Sequence, residues 1–149
     1  MRYMKENYPE LKLENQICFR VYRLNRAITN HYRPFLNELD LTYPQYLVMM
    51  ALWEKDGIPV NSLSEILKLD TGTLSPLLKR LEATGYIHRK RSKEDERTVI
   101  IKLTRIGAEL QKKAIAVPQE MAHCLDLTTE EYLSLRETLD TLILKAEKR

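Results

Sequence analysis

The 149-residue chain has little of what most enzymes and secreted proteins display. It contains two cysteines, three histidines and four glycines, and its longest apolar run, Tyr46 to Trp53, covers eight residues. Such a run is far too short to cross a bilayer. The histidines stand apart in the sequence, so no zinc-ligand spacing is present. A phosphate-binding loop, an HExxH motif and a GxSxG motif are also missing, and hydrolase or nucleotide-enzyme machinery is therefore not visible.

The cysteines and the N-terminus bear on the compartment. The first residues, MRYMKENYPE, lack the apolar segment of a signal peptide, and we expect a cytoplasmic protein. Cys18 and Cys124 are then expected to rest as thiols and not as a permanent structural bridge. Hydrophobic residues make up 44% and charged residues 30% of the chain, which is ordinary for a single globular domain. We expect no cofactor, no metal and no membrane partner.

Positive charge is concentrated between Lys79 and Arg105. This segment holds nine Lys or Arg and four Asp or Glu, whereas the whole chain has a net charge of only +3. A short predicted helix begins at Asp70, and two β-type runs follow it, over 86–90 and 98–103. A helix followed by a basic hairpin is typical of the winged helix, in which the helix enters the major groove of DNA. The alternative is a solvated hairpin of an unrelated domain.

The apolar periodicity predicts a mostly α fold with a small β-hairpin wing, a winged helix-turn-helix flanked by N- and C-terminal dimerisation helices. Thr42 and Thr128 each begin a sequence typical of a capping box. The predicted helices cover about 11–32 with an interruption at Pro34, 42 to about 55, 62–69, 70–85, a stretch from Thr104 through Ile115 that Pro118 ends or kinks, and a stretch that follows Thr128.

The two terminal regions, about 11–33 and 105–149, carry apolar stripes outside the winged-helix lobe, about 42–104. Tyr132, Leu135, Leu139, Leu142 and Ala146 form a coiled-coil-like seam. A two-fold dimer suits DNA binding, because it reads a palindrome with two recognition helices one turn apart. We therefore expect one domain over 1–149 that forms a homodimer. An intramolecular bundle of the same helices is the alternative.

The pattern LDTGTLSPLLKRLEATGYIHRKRSKEDERTVIIKLT resembles the MarR family (multiple-antibiotic-resistance regulators) of dimeric winged-helix repressors. The stretch NQICFRVYRLNRAITNHYRPFLNELDLTYPQYLVMMALWE is similar to its organic hydroperoxide resistance regulator branch (OhrR). Members of that branch carry a reactive N-terminal cysteine and two supporting tyrosines. Here Cys18, Tyr32 and Tyr43 occupy these positions, and Tyr22 lies one turn after the cysteine.

The resemblance implies a repressor that binds double-stranded operator DNA as a homodimer and releases it when an organic hydroperoxide oxidises Cys18. In a two-cysteine branch of that family a resolving cysteine falls in the region of Cys124, which implies a disulfide between subunits. The alternative for Cys124 is a partly buried structural cysteine at a helix end.

Cys18 is open to two interpretations on the residues alone. A lone cysteine on a helix is usually a small buried hydrophobe. Tyrosine hydroxyls, however, can donate hydrogen bonds to a thiolate and so favour the reactive form of the sulfur. Tyr32 follows Cys18 by fourteen residues, about 21 Å along a continuous helix. The two side chains can therefore meet only if N-terminal helices of two subunits pair in antiparallel fashion.

Two other functions remain open from sequence. One is a winged-helix regulator that is gated by a small phenolic or other aromatic ligand in the dimer cleft, with Cys18 inert. The other is a thiol enzyme such as a peroxidase, which the lack of a CxxC pair disfavours. We expect a regulator and not an enzyme.

The predicted DNA contacts lie on the recognition helix and the wing. Short hydroxylated side chains at the helix start can donate to phosphates and base edges, and an arginine at the wing can read a narrow minor groove. Asp95 is expected to orient an arginine, since a bare carboxylate would repel phosphate. The predicted set is Thr71, Thr73, Ser75, Lys79, Arg80, Arg91, Asp95 and Arg97.

Overall fold

The computed structural model describes residues 8–148, and within this range helices dominate. They are accompanied by two single 3-10 turns and a small three-stranded antiparallel sheet, which confirms the predicted mostly α fold with a β wing. Within these residues, no helix is both long and apolar enough to cross a membrane. The helices are α1 (Ile17–Asn37), α2 (Tyr43–Glu54), α3 (Val60–Leu67), α4 (Thr71–Ala83), α5 (Arg105–Ala114), α6 (Ala116–Leu125) and α7 (Thr129–Glu147), and the strands are β1 (Ile58–Pro59), β2 (Ile87–Arg91) and β3 (Val99–Leu103).

The core centres on the lobe that α2, α3, α4 and the sheet form together, and buried residues of α1, α5 and α6 extend it. Leu52, Leu63, Leu74, Leu81 and Ile101 are completely buried there, and they come from four different elements. Burying a leucine or isoleucine side chain contributes about 2 kcal/mol. These contacts therefore fix the position of α4 and of the wing strands relative to the rest of the lobe.

The wing is built on β3, which pairs with β2 on one side and β1 on the other. Arg89 lies opposite Ile101 in the hairpin, and Ile58 lies opposite the same Ile101 on the other edge. Strand β1 was not predicted, because two residues carry no alternating pattern. Pro59 ends it without disturbing the sheet, since an edge strand tolerates a residue that lacks an amide proton.

Helix α1 differs from the prediction at both ends. It begins at Ile17 because the side chains of Asn15 and Gln16 bond back to the preceding 3-10 turns, the Asn15 amide reaching the Pro9 carbonyl at 2.7 Å. Its predicted interruption at Pro34 was wrong, and the helix runs on to Asn37. A proline removes one helical hydrogen bond, and the buried Leu36 holds the last turn of α1 on the core.

Two more helix boundaries were misplaced. Helix α3 runs two residues ahead of the predicted 62–69, because Lys68 takes a left-handed conformation with φ 52° and ends it. The helix that follows Thr104 breaks at Ile115 and not at Pro118. Pro118 instead lies in the first turn of α6, where its missing amide proton leaves no helical bond unmade.

Both predicted capping boxes are confirmed. The Thr42 amide donates to the Gln45 side-chain oxygen at 2.8 Å. At the second box, the Thr128 amide donates to the Glu131 carboxylate at 2.9 Å, and the Glu131 amide donates to the Thr128 hydroxyl at 3.2 Å. Such reciprocal bonds satisfy amides that a helix start leaves without partners.

Helices α1 and α7 keep much of their apolar surface outside the core. No residue of α7 is buried within the protomer, and Leu142 and Leu144 are 47% and 59% exposed. On α1, Ile17 and Val21 are 67% and 49% exposed. The protomer therefore presents two apolar helical faces that its own chain does not cover.

Candidate DNA-binding surface and redox site

The recognition helix α4 begins with a local hydrogen-bond network. The Asp70 carboxylate accepts bonds from the Thr73 hydroxyl at 2.7 Å and the Thr73 amide at 2.9 Å, and these bonds lower the pKa of Asp70. The Ser75 hydroxyl donates to the Thr71 carbonyl at 2.7 Å. The hydroxyl protons of Thr73 and Ser75 are thus used within the helix, so these oxygens are set to accept rather than donate.

The other predicted contacts of α4 lie further along the same helix. Lys79 and Arg80 are exposed, and Thr71 is exposed at the first position of the helix. The helix ends at Ala83, and Gly85 turns the chain toward β2 with φ 80°. A side chain with a Cβ atom is strained at this angle. The glycine therefore sets the direction in which the wing leaves the recognition helix.

The wing tip is organised by Asp95. Its carboxylate accepts a bond from the Arg97 amide at 3.0 Å and another from the Thr98 hydroxyl at 3.1 Å. Asp95 thus acts on Arg97 through the backbone amide of that arginine. The Arg91 guanidinium donates to the Glu96 carbonyl at 3.5 Å. These hydrogen bonds order the turn at the wing tip, and Arg97 is exposed at its end.

Between α4 and the wing lies a groove of about 240 Å³. Of the predicted contacts, it brings together Ser75 and Arg97. It also brings in two residues that sequence reasoning missed, Asn61 and Arg89. Arg89 belongs to the basic run of β2, which could have singled it out, while Asn61 lies at the start of α3 and carries no sequence signal. The groove is lined by Val60, Asn61, Ser75, Leu78, Arg89, Arg97, Thr98 and Val99.

The residues of the predicted redox site fall into two places within the protomer. Tyr32 and Tyr43 are adjacent, with ring centroids 4.8 Å apart. Cys18 is an exposed free thiol in the first turn of α1, about 21 Å along the helix from Tyr32. Tyr22 is engaged by Arg26, which donates to its hydroxyl at 3.2 Å and lies over its ring. The structure therefore brings the tyrosine pair together, but it does not bring Cys18 to the pair.

Both tyrosines of the pair are held in the protonated form. Burial raises the pKa of Tyr43, and burial together with the nearby Tyr43 and Tyr46 raises the pKa of Tyr32. A phenol with a raised pKa keeps its proton at neutral pH and remains a hydrogen-bond donor. The pair can thus donate to an anion that reaches it from outside the protomer.

The second cysteine lies on α6. Cys124 is an exposed free thiol in the last turn of α6. Next to it, Tyr32, Met121, Leu125 and Tyr132 help to line a mainly apolar groove of about 400 Å³ between α1, α6 and the start of α7. No cluster of metal-ligating side chains occurs within residues 8–148.

Comparison with known proteins places the chain among transcription regulators. Residues 30–114 match the family model described as transcriptional regulator SarA/Rot. The organic hydroperoxide resistance transcriptional regulator of Bacillus subtilis is 44% identical over 94% of this chain and 95% of its own. Among solved structures, reduced AbfR bound to DNA has a TM-score of 0.80 at 35% identity, covering 93% of this chain and 94% of its own.

Two further structures matter for the chemistry and the fold. Disulfide-formed AbfR matches with a TM-score of 0.66 at 37% identity over 93% of this chain and 95% of its own. A MarR mutant of E. coli in complex with operator DNA matches with a TM-score of 0.76 at 27% identity, over 82% and 89%. These relatives are regulators and not enzymes, as the sequence led us to expect. The chain belongs to the MarR family of winged-helix transcription regulators, close to its organic hydroperoxide resistance regulators.

Proposed function

We propose that this protein is a homodimeric transcriptional repressor that binds operator DNA and releases it when an organic hydroperoxide oxidises Cys18. The observation that carries the proposal is the division of the redox site. The exposed Cys18 lies at one end of α1, and the donor pair Tyr32 and Tyr43 lies at the other. A second, antiparallel α1 would join the two halves.

The uncovered apolar faces support the dimer. Helix α7 and the first half of α1 expose isoleucine, valine and leucine side chains that the protomer leaves in water. Contiguous apolar surface of this kind marks a protein interface. We propose that the terminal helices, about 11–33 and 105–149, form the dimer and that residues of about 42–104 form the DNA-reading lobe.

The proposed DNA contacts follow from the charge and shape of that lobe. Helix α4 would enter the major groove with Thr71, Thr73, Ser75, Lys79 and Arg80. The turn that Asp95 builds would deliver Arg97 to the minor groove, with Arg91 beside it. Support comes from the basic segment 79–105 and from the related AbfR and MarR structures, which were solved with DNA.

The proposed oxidation is a two-electron transfer. The Cys18 thiolate attacks the distal oxygen of the hydroperoxide, a sulfur–oxygen bond forms and the oxygen–oxygen bond breaks. The sulfur becomes a sulfenic acid and the leaving alkoxide takes a proton to become an alcohol. The protonated Tyr32 and Tyr43 of the other subunit would hold the thiolate by hydrogen bonds before the attack.

Cys124 is proposed to resolve the sulfenic acid. Its thiol would attack the Cys18 sulfur, form a disulfide and release water. A disulfide requires Cα atoms within about 7 Å, so helices that hold the two residues farther apart must move. Such movement would change the spacing of the two recognition helices. The related AbfR was solved both reduced on DNA and in a disulfide form, which supports this step.

A second candidate function is supported by the apolar groove beside Tyr32. A groove of about 400 Å³ with two tyrosines suits a small aromatic ligand. In that case Cys18 would be structural, and binding of the ligand among the terminal helices α1, α6 and α7 would control DNA binding.

One titration separates the two candidates. Reduced protein, bound to a duplex that it has selected from a random-sequence pool, is titrated with cumene hydroperoxide while fluorescence anisotropy follows DNA binding. The redox proposal expects release at near-stoichiometric oxidant, no release for Cys18→Ser, and recovery with a thiol reductant. Indifference of the wild type to the oxidant would contradict it and favour the ligand-gated regulator.

Non-reducing gels test the role of Cys124. After peroxide, the wild type is expected to run as a covalent dimer, and Cys18→Ser and Cys124→Ser are each expected to remain monomers. If Cys124→Ser leaves peroxide-induced release reversible and unchanged in extent, Cys124 is structural and oxidised Cys18 acts alone or with a small external thiol.

A further inference from the structure

The recognition helix and the wing are joined by one side-chain clamp. Glu82 lies in the last turn of α4, and Arg89 lies in the middle of β2. The Arg89 backbone amide donates to Glu82 Oε1 at 3.1 Å, and Arg89 Nε donates to Oε2 at 2.7 Å. Both oxygens of one carboxylate are thus used by one wing residue. Such charge-assisted, two-point bonds fix an orientation as well as a distance.

The backbone bond has a topological reason. Strand β2 is at the edge of the sheet, since the strand order is β1-β3-β2. Alternate amides of an edge strand point away from the sheet and have no strand partner. The Arg89 amide is one of these, and the Glu82 carboxylate supplies its acceptor. Glu82 therefore completes the edge of the wing from the recognition helix.

Core packing holds the base of the wing, where Leu81 of α4 and Ile87 of β2 are buried. Toward the start of α4, Ser75 and Arg97 line the groove of about 240 Å³ between the helix and the wing. Within residues 8–148, the only side-chain hydrogen bonds between α4 and strands β2 and β3 are those of Glu82. Beyond the packing of the core, the link between α4 and the exposed edge of the wing thus rests on this pair.

We infer that Glu82 is a positioning residue for DNA reading, which holds the wing at a fixed angle to the recognition helix so that both reach the DNA as one rigid unit. The inference rests on the proposed DNA binding. Glu82 acts through Arg89 and does not touch the DNA itself. The position of Arg97 relative to α4, and hence the distance between the minor-groove and major-groove contacts, is what the clamp sets.

This role can be tested because simple electrostatics predicts the opposite sign. Removing a carboxylate from a DNA-binding surface frees Arg89 for a phosphate and should tighten binding. Loss of a positioning residue should weaken it, because the wing then has to be ordered when DNA binds. Glu82→Gln is the matched change. Glu94→Gln is its control, since Glu94 is an exposed acid of the wing tip whose carboxylate bonds to no residue of α4.

The experiment compares the reduced wild type, Glu82→Gln and Glu94→Gln on a duplex that the wild type has selected from a random-sequence pool. We expect Glu82→Gln to bind about tenfold more weakly and Glu94→Gln to bind as tightly or more tightly. Hydroxyl-radical footprints of Glu82→Gln should lose the outer, minor-groove protections and keep the central ones. Hydrogen exchange without DNA should show faster exchange of the Arg89 amide in Glu82→Gln.

Each other outcome has a definite meaning. Equal or tighter binding by Glu82→Gln overturns the positioning role, and so does weaker binding with an unchanged footprint. Unchanged exchange at the Arg89 amide shows that the clamp does not hold the wing. If the wild type selects no duplex, the proposed DNA binding is itself wrong, while the exchange measurement still reports whether the clamp exists.

Discussion

The apolar residues of the DNA-reading lobe and those of the C-terminal helix α7 differ in how far the protomer buries them. In the lobe, leucines from α2, α3 and α4 are completely buried against the sheet. On α7, residues of the same type stay half exposed, and none is buried within the protomer. The lobe therefore buries its leucines within the protomer, whereas α7 leaves its apolar side chains without cover from its own chain. Burial within one protomer thus separates the lobe from the helix that we propose to form the dimer.

The largest effect is expected from the core of the lobe. Leu81→Ala removes a completely buried side chain from α4 and should lower the free energy of unfolding by about 3 kcal/mol. The matched change on α7, Leu144→Ala, removes a side chain that is 59% exposed. Urea unfolding at one protein concentration compares the two. A loss for Leu144→Ala that equals the loss for Leu81→Ala would remove the distinction between the regions.

A substitution at the contact between α5 and the start of β2 should lower stability almost as much. A Cβ atom on Gly107 would lie 2.0 Å from the Tyr86 carbonyl oxygen, where α5 crosses the start of β2. Because backbone would have to move, Gly107→Ala should cost about 2–3 kcal/mol in urea unfolding. Gly72→Ala is the control, since its Cβ would meet only the Asp70 side chain. Equal stability of both variants would show that this contact is not tightly packed.

The exposed apolar residues of α7 should matter for the proposed dimer and not for the folding of the lobe. Leu142→Lys places a charge on α7 and is expected to weaken the proposed dimer by at least about tenfold, with the circular dichroism of the protomer retained. Light scattering over a dilution series measures it against the wild type. A wild type that stays at the protomer mass of 17.6 kDa at micromolar concentration would refute the dimer.

The wing tip is expected to contribute to DNA binding and to nothing else. Arg97 is exposed and has its backbone fixed by Asp95. Arg97→Ala should weaken binding to the selected duplex by about tenfold and reduce the salt dependence by about one ion released. Unchanged affinity at several salt concentrations would show that Arg97 does not contact the DNA. Unfolding by urea should be unaltered and serves as the control.

The smallest effect concerns pH and the cap of α4. Hydrogen bonds from Thr73 lower the pKa of Asp70 in the folded protein below its unfolded value. The ionised cap therefore stabilises α4 fully above the unfolded pKa, and this contribution is lost as the pH falls through the folded pKa. Asp70→Asn keeps a side chain that can cap α4 but removes the group that titrates. Its Tm should lie slightly below that of the wild type at about pH 7, and the difference should shrink as the pH falls through the folded pKa of Asp70 and vanish below it. A Tm difference that does not change with pH would show that the charge of Asp70 does not contribute to the cap.

The sequence predicted best where one turn of chain decides the structure. Thr42 and Thr128 could be read as capping residues because their partners lie three positions away. The continuation of α1 through Pro34 could not be predicted in this way. It depends on the burial of Leu36 against the core, which outweighs the one helical hydrogen bond that Pro34 removes. Strand β1 depends in the same way on a partner, Ile101, that lies more than forty positions along the chain.

The candidate site shows the same limit. The hairpin and its basic residues were visible as a run of charge, and the cysteine and the tyrosines as a resemblance. The clamp between Glu82 and Arg89 was not, because its members lie in two different elements on either side of a turn. Nor does a pattern in one chain show the side of Cys18 that a second subunit would complete. Sequence gives residue types for such sites, and only the fold gives their distances.

The fluorescence of the single tryptophan, Trp53, reports on the contact between α2 and α5. Trp53 donates its indole proton to the Gly107 carbonyl at 2.9 Å, and its ring lies 6.2 Å from that of Tyr46, which in turn lies 6.1 Å from that of Tyr32. Indole fluorescence depends on its hydrogen bond and on neighbouring rings that pass excitation to it. A shift of α5 against α2, or a change at Tyr32, therefore alters the emission of the unlabelled protein. The molecule therefore carries its own optical reporter of movement between α5 and the winged-helix lobe.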